Sequence, residues 1–259
     1  MRKLFWLLLA ASLTAKAVDA QDFRFSIYPP HEIEAKAGEL ADFLGTVLGG
    51  GLVHTAKLHG VGGFDAGIRV ISVFVPSRYS EVPVGPLKDK EFIAVPMLHA
   101  SLGLPGPFEV MVRGMQVTLG DKPTQGTVTI VGAGIKMGLL QNILLPRVTA
   151  IAAYHQLTVP ETFELGKTRV ISLRLAVSKG IPMFGFYGSF GLDWTNLEVS
   201  FPGTGVPPYE EGWSHSYDRV GFVGVFGITF SPLPFVTANL EYAAAKMSGF
   251  TAGLSISFR

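Results

Sequence analysis

The sequence predicts an all-β chain: an antiparallel transmembrane β-barrel of about ten strands, within a range of eight to twelve, preceded by an amphipathic helix. Three observations predict it. From about residue 60 onward, apolar and polar residues alternate with a period of two. The chain is 48% hydrophobic and only 16% charged, with a mean hydropathy of +0.37. Yet beyond its first residues no uncharged apolar run reaches the ~18 residues a membrane helix needs. The 31 glycines and 17 prolines also argue against an all-helical protein.

The opening, MRKLFWLLLAASLTAKAVDAQ, reads as a secretory signal peptide. Arg2 and Lys3 form its positive region and Leu4 to Leu13 its apolar region. Val18 and Ala20 supply small residues at the −3 and −1 sites, which places cleavage before Gln21. The expected organisation is therefore a signal peptide over 1–20, a helical plug or cap segment over 21–60, and the barrel over 61–259.

Residues 31–48 carry a helical stripe: Ile33, Ala37, Leu40, Leu44 and Val47 recur at spacings of four and three. Gly49, Gly50 and Gly51 end it. Strands follow. Phe64, Ala66, Ile68 and Val70 alternate with Asp65, Gly67 and Arg69. Phe92, Ala94, Leu98 and Ala100 oppose Met97, His99 and Ser101, and Phe108, Val110 and Val112 oppose Glu109, Met111 and Arg113. Residues 124–137 are less regular, with Thr127 and Thr129 on one face and Lys136 on the other. Val148, Ala150, Ala152 and Tyr154 oppose Arg147, Thr149 and His155, and Ile171, Leu173, Leu175 and Val177 oppose Ser172 and Arg174. Phe184, Phe186, Phe190, Leu192 and Trp194 oppose Tyr187, Ser189, Asp193 and Thr195. Phe222, Phe226, Ile228 and Phe230 form the next apolar face, and Val236, Ala238, Leu240 and Tyr242 oppose Thr237, Asn239 and Glu241. The series closes on Phe250, Ala252, Leu254, Ile256 and Phe258. Segments of roughly ten residues are long enough to cross a bilayer on a tilt.

Long connections at 76–90 and 202–217 follow the first and seventh strands. The short turns at 104–107, 179–182 and 231–234 follow the second, sixth and eighth. Strand parity then places both long loops at one end and all three short turns at the other, the asymmetry of outer-membrane barrels. A globular β-sandwich also alternates, but its second face meets water. Here that face is mostly Gly, Ser and Thr with lone charges, which suits a lumen behind a closed sheet whose backbone groups are all paired.

The last strand resembles the C-terminal signal that assembly machinery reads in bacterial outer-membrane proteins, with the match at Phe250, Leu254, Ile256 and Phe258 and with Arg259 following the final aromatic. Residues 51–76, GLVHTAKLHGVGGFDAGIRVISVFVP, resemble the start of an uncharacterised family of bacterial outer-membrane β-barrels: Thr55-Ala56-Lys57, a short basic turn, then Gly62-Gly63-Phe64-Asp65 opening a long strand. More remotely the layout is similar to long-chain fatty-acid outer-membrane transporters, which carry an N-terminal plug but have more strands. No substrate-binding residue carries over from them.

The resemblance and the strand pattern imply a protein of the outer membrane of a Gram-negative-type bacterium. It is expected to be a channel or transporter for small apolar or amphipathic solutes, gated by its N-terminal segment. The alternative is a non-transporting structural or adhesion barrel acting through its outer loops. Expected partners are the lipid bilayer, the outer-membrane assembly machinery and a small hydrophobic solute. A net charge of +1 carries no nucleic-acid signature. The absence of cysteine removes disulfides, thiolate metal sites, cysteine nucleophiles and a lipidated N-terminal cysteine.

The lumen-facing candidates are Asp65, Arg69, His99, Glu109, Arg113, Arg147, His155, Arg174, Asp193 and Glu241, with Lys136 a further one. Their mixed signs suit either a salt-bridged lumen or a solute pathway whose charges set selectivity. No enzyme is expected: Ser101 and His155 have no spacing that ties a serine to a histidine. GAGIKMG lacks the Lys-Ser/Thr ending of a phosphate loop. His54 and His59 supply two metal ligands, short of a site, so no metal or other cofactor is expected. Ten strands ~4.8 Å apart give a backbone diameter of roughly 20 Å and an interior of about 10 Å. A helix needs ~10–12 Å, so the helix is expected at the periplasmic mouth as a cap or as a partial plug.

Overall fold

The computed structural model describes residues 25, 28–77, 91–118, 126–142, 144–160, 164–200 and 213–258. The expected signal peptide, Arg259 and much of both long loops lie outside them. One helix, α1 (Pro30–Gly49), precedes ten strands: β1 (Phe64–Phe74), β2 (Phe92–Gly103), β3 (Phe108–Thr118), β4 (Thr127–Leu140), β5 (Arg147–Thr158), β6 (Leu165–Ile181), β7 (Phe184–Ser200), β8 (Ser214–Leu233), β9 (Val236–Ala244) and β10 (Gly249–Phe258). Each strand pairs antiparallel with its neighbours in sequence, and β10 returns to β1 to close the barrel. Ten residue pairs, from Phe64↔Phe258 to Val73↔Gly249, make that closing seam. Residues 214–217, expected in a loop, are the first residues of β8. No helix among the described residues is long and apolar enough to cross a membrane.

The period-two pattern decides which face of each strand turns outward. Phe226 is 63% exposed and Phe222 76%, while Asp65, Glu109 and His155 on the opposite face of their strands are 0% exposed. The outward surface is banded. At the short-turn end Phe64 and Phe258 meet at 5.1 Å and Phe184 and Phe230 at 5.0 Å, each pair of rings tilted by 32°. Ten residues along β1, Phe74 meets Phe92 at 5.8 Å and Phe250 at 5.7 Å, and Tyr242 meets Phe250 at 5.1 Å. Ten residues of strand span ~33 Å, or about 25 Å across a bilayer at a 40° tilt. That is the height of the apolar band between aromatic girdles in membrane barrels.

Above the second girdle, at the long-loop end, the outward face changes chemistry. The cross-strand row Val112↔Ala133↔Tyr154↔Ile171↔Trp194↔Val220 is mostly apolar. Two residues further along, Gln156, Arg169, Asn196 and Asp218 are outward neighbours across β5 to β8, and four residues along, Gln116, Thr129 and Thr158 are outward neighbours across β3 to β5. Trp194 Nε1 and Asn196 Nδ2 both donate to Asp218 at 3.1 Å, tying the outward tryptophan to this polar collar. The irregular alternation around Thr127 and Thr129 follows from this: both stand outward, beyond the apolar band.

α1 lies inside the barrel. Pro30 occupies its first turn, where a missing N–H costs nothing, and Glu32 complements the N-terminal dipole. From Leu40 to Gly49 nearly every residue is buried, on all sides of the helix. Its contacts fall on β6, β7, β8 and β1. The N-terminal turns sit at the long-loop end, where Glu34 lines a hollow with Trp213, His215 and Arg219. The C-terminus reaches mid-lumen beside Asp193. Of the two expected placements the plug is the one adopted, and the cap at the periplasmic mouth is corrected. The helix fits the narrow lumen because glycine stands where it meets the wall. Gly45 faces Thr195 so closely that a Cβ there would stand 2.5 Å from its Oγ1, and a Cβ on Gly49 would collide with the Asp193 carboxylate. Residues 50–63 then run without regular structure from mid-lumen to the short-turn rim, where Gly62 and Gly63 bond Gly103 and Gly60. They form no extra strand.

Candidate functional site: the plugged lumen

The lumen has two halves of different chemistry. Toward the long-loop end its wall is apolar: Ile71, Val73, Met97, Ile130, Leu157, Val170, Leu197 and Val199 pack on Ile33, Leu40, Phe43, Leu44, Val47 and Leu48 of α1. Phe25 is buried in the same cluster. Toward the short-turn end the wall is charged, and the irregular segment 50–63 fills it.

The boundary is the end of the helix. Its last carbonyls have no partner within α1, and its last turn holds no basic residue. The barrel wall supplies the cations. Arg113 donates to the Leu48 carbonyl at 3.4 Å and to the Gly50 carbonyl at 2.7 Å. Arg174 donates to the Gly49 carbonyl at 3.3 Å, and Arg69 donates to the Gly51 carbonyl. Three arginines from β1, β3 and β6 thus meet the negative end of the helix dipole, where cations are stabilising. Glu241 on β9 accepts from the Gly51 N–H at 3.0 Å and from the Tyr187 hydroxyl at 3.0 Å.

Below this collar the segment is bonded side by side to the wall. Ala56 N–H donates to Ser178 Oγ at 2.9 Å, and the Ala56 carbonyl accepts from Thr149 at 2.6 Å and from Gln141 at 2.9 Å. Glu109 accepts from the His59 backbone at 3.1 Å, faces His59 Nδ1 at 2.8 Å, and pairs with Lys136 at 2.6 Å. All three of these side chains are fully buried.

Of the lumen-facing candidates, Asp65, Arg69, His99, Glu109, Arg113, His155, Arg174, Asp193 and Glu241 are buried inside the barrel. Arg147, at the short-turn end of β5, is half-buried and turned to the same side. They do not line an open path. Asp193 pairs with Arg174, Glu109 with Lys136, and Asp65 lies 3.8 Å from Arg69. Ser101 Oγ bonds nothing among the described residues, and His155 Nε2 faces Arg113 at 3.4 Å, so these two make no Ser–His pair. Between α1 and the wall, beside Asp42, Thr46, Thr195 and Arg219, one cavity is about 20 Å³, room for about one water. A larger concavity, about 460 Å³ beside Phe108, Met137, Ala152 and Phe190, opens on the outward apolar face instead.

Asp65 also lies beside three histidines. His54 Nε2 is 3.8 Å from its Oδ2 and His99 Nε2 is 3.7 Å from its Oδ1. His59 belongs to the same group, with one possible ligand atom each from His54, His59 and Asp65 within 4.8 Å of one another. The sequence pairs only His54 and His59, because only the threading of 50–63 through the barrel brings β1 and β2 beside them. Gln141 and Ser178 are ordinary polar residues with no spacing signal, and Thr149 shows in the sequence only as a polar-face residue of β5. The close approach of α1 did leave a trace: Gly38, Gly45 and Gly49 recur at helical spacings of seven and four.

Solved structures share the barrel outline at low scores. The translocator domain of autotransporter NalP from Neisseria meningitidis aligns over 91% of this chain and all of its own, at 8% identity and a TM-score of 0.37. The attachment invasion locus protein Ail of Yersinia pestis aligns over 76% of this chain and 99% of its own, at 12% identity and a TM-score of 0.30. The toluene transporter TbuX of Ralstonia pickettii aligns over 80% of this chain and 92% of its own, at 9% identity and a TM-score of 0.28. No curated protein matches the chain in sequence. A family model does, from residue 79 to residue 258, which is most of the barrel wall. The chain belongs to that family, the family of unknown function DUF6588.

Proposed function

We propose that the protein is an outer-membrane barrel of a Gram-negative-type bacterium, a channel or transporter for small apolar or amphipathic solutes whose gate is its own N-terminal segment. One observation carries this reading: the apolar half of the lumen opens toward the long-loop end and is occupied by a helix of the same chain. Withdrawing α1 vacates an apolar chamber at the outer end, and withdrawing the irregular segment after it opens a polar passage below, lined by Arg113, Arg174 and Glu241. An apolar wall followed by a charged one suits a solute with a hydrocarbon body and a polar head. The girdles and the band of about 25 Å between them support placement in a bilayer, and the seam between β10 and β1 is the part offered to assembly machinery. No step of catalysis belongs to this reading.

A second reading, a non-transporting structural or adhesion barrel acting through its outer loops, is favoured by the three-arginine collar, which anchors the plug. Conductance and uptake of a fluorescent fatty acid into proteoliposomes separate the two. The chain from residue 21 onward is compared with a form lacking residues 21–60, the helix and the irregular segment together. The transport reading expects little conductance with the plug in place, and both ion flow and fatty-acid uptake without it. A folded barrel that passes neither in either form overturns transport and leaves the structural reading.

A further inference from the structure

We infer that the lumen holds a binding site for a divalent transition-metal ion, built from His54, His59, Asp65 and His99, which clips the plug segment to the barrel wall. The four side chains come from two sources. His54 and His59 lie on the irregular segment, Asp65 on β1 and His99 on β2. All are buried, at 1%, 4%, 0% and 3% exposure. Around them six polar atoms have no hydrogen-bond partner among the described residues: His54 Nε2, His59 Nε2, Asp65 Oδ1, both ring nitrogens of His99, and Ser101 Oγ. Buried polar atoms are almost always satisfied, and orphans gathered around one point call for an occupant.

The chemistry of the donors selects its kind. Three imidazoles and one carboxylate suit Zn²⁺ and its neighbours in the first transition row, whereas Mg²⁺ and Ca²⁺ need oxygen donors. The supporting contacts have the arrangement expected behind metal-bound histidines. His59 Nδ1 faces Glu109 Oε2 at 2.8 Å, so Nδ1 carries the ring proton and the Nε2 lone pair is free for a metal. Asp65 Oδ2 accepts from Ser257, leaving Oδ1 to ligate. His54 is the ligand that must adjust. Its Nδ1 lies 2.7 Å from Arg69 Nη2 and accepts from it, so the ring proton sits on Nε2. Ligation through Nε2 moves that proton to Nδ1, which gives up the hydrogen bond from Arg69 and needs Nη2 to turn away, while Arg69 keeps the Gly51 carbonyl it already touches. Lys136 and Arg69 balance Glu109 and Asp65, so the imidazoles, not net negative charge, set the affinity. Metal bonds of 2.0–2.1 Å put tetrahedral ligand atoms roughly 3.4 Å apart. His99 Nε2 stands 3.7 Å from the free Oδ1 of Asp65, close to that spacing; His54, His59 and Asp65 each offer an atom within 4.8 Å of the others, so the His54 and His59 rings, on the irregular segment, are the ones that close on the ion.

The site is sealed, so the ion enters while the barrel closes. The test is refolding of the chain from residue 21 onward into detergent with Co²⁺ or Zn²⁺ present, followed by exhaustive dialysis. The expected result is one ion per chain by elemental analysis, and tetrahedral d–d absorption with Co²⁺. In the double variant His59→Ala/His99→Ala occupancy falls at least tenfold, while His215→Ala, at the outer mouth, stays at one. Protein loaded with metal resists proteolysis of residues 50–63 at least tenfold longer than protein refolded with chelator. Folded wild-type protein without bound ion at tenfold metal excess overturns the site, whatever the variants do. So does an ion retained equally by the double variant. Neither readout depends on solute passage: a bound ion in a barrel without conductance keeps the site and removes the transport reading.

Discussion

Arg174 holds both oxygens of Asp193, at 2.8 and 2.7 Å, with the same nitrogen that touches the Gly49 carbonyl at 3.3 Å. One guanidinium therefore joins two barrel strands and the end of the plug helix. Its second terminal nitrogen bonds the Leu173 and Leu192 carbonyls at 3.0 and 2.7 Å. The pair is almost fully buried, at 1% and 9% side-chain exposure.

Breaking such a pair from one side is costlier than removing it whole. Arg174→Met leaves the Asp193 carboxylate buried among the plug carbonyls and should destabilise the folded barrel by about 3–5 kcal/mol. Arg174→Met/Asp193→Leu should recover much of that loss. Urea titration of barrel folding in lipid vesicles checks both, and equal losses in the single and double variants would contradict the pairing.

Gly45 tests the plug without touching the wall. Alanine there places its Cβ 2.5 Å from Thr195 Oγ1. Gly45→Ala should loosen α1, seen as faster proteolysis within residues 30–49 while the barrel stays heat-modifiable. Thr195→Ala added to it removes the opposing hydroxyl and should restore resistance. If proteolysis is unchanged in Gly45→Ala, the helix does not pack against β7 as described.

The outward face should reject charge as hydrocarbon does. Phe226, 63% exposed and within the apolar band, turned to arginine should hinder folding into bilayers by about 2–4 kcal/mol. Thr229→Arg faces the other way, near the rim of the lumen, and should cost less. Equal penalties in vesicle-folding titrations would mean that the two faces are not lipid and lumen.

The closing seam should decide assembly. Deleting residues 250–259 removes the partner of β1 and of β9 and leaves two edges of unpaired amides, which hydrocarbon does not tolerate. The truncated chain should accumulate outside the membrane, Phe258→Ala partly so, and removal of Arg259 alone should be harmless. The readout is the heat-modifiable fraction in outer-membrane extracts; a normal amount of folded truncated chain there would count against the closed barrel.

The wall was legible in the sequence because side-chain direction in a strand is a local property. Asp65, Glu109, Asp193 and Glu241 alternate with apolar neighbours, and the pleat alone turns them to one side. The alternation also set the strand count, and the lengths of the connections set which loops share an end. The plug was not legible in the same way. Whether α1 caps the mouth or enters the lumen depends on the volume of facing side chains, here glycine against Thr195 and Asp193, and volume matching is a relation between distant residues. The arginine collar and the histidine cluster have the same origin. Arg69, Arg113 and Arg174 stand on three strands, the first two 44 positions apart and the last two 61. Nothing local says that they meet the end of one helix. Sequence by itself determined which residues face inward; only the closed barrel, by threading residues 50–63 past β1 and β2, decided which of them touch.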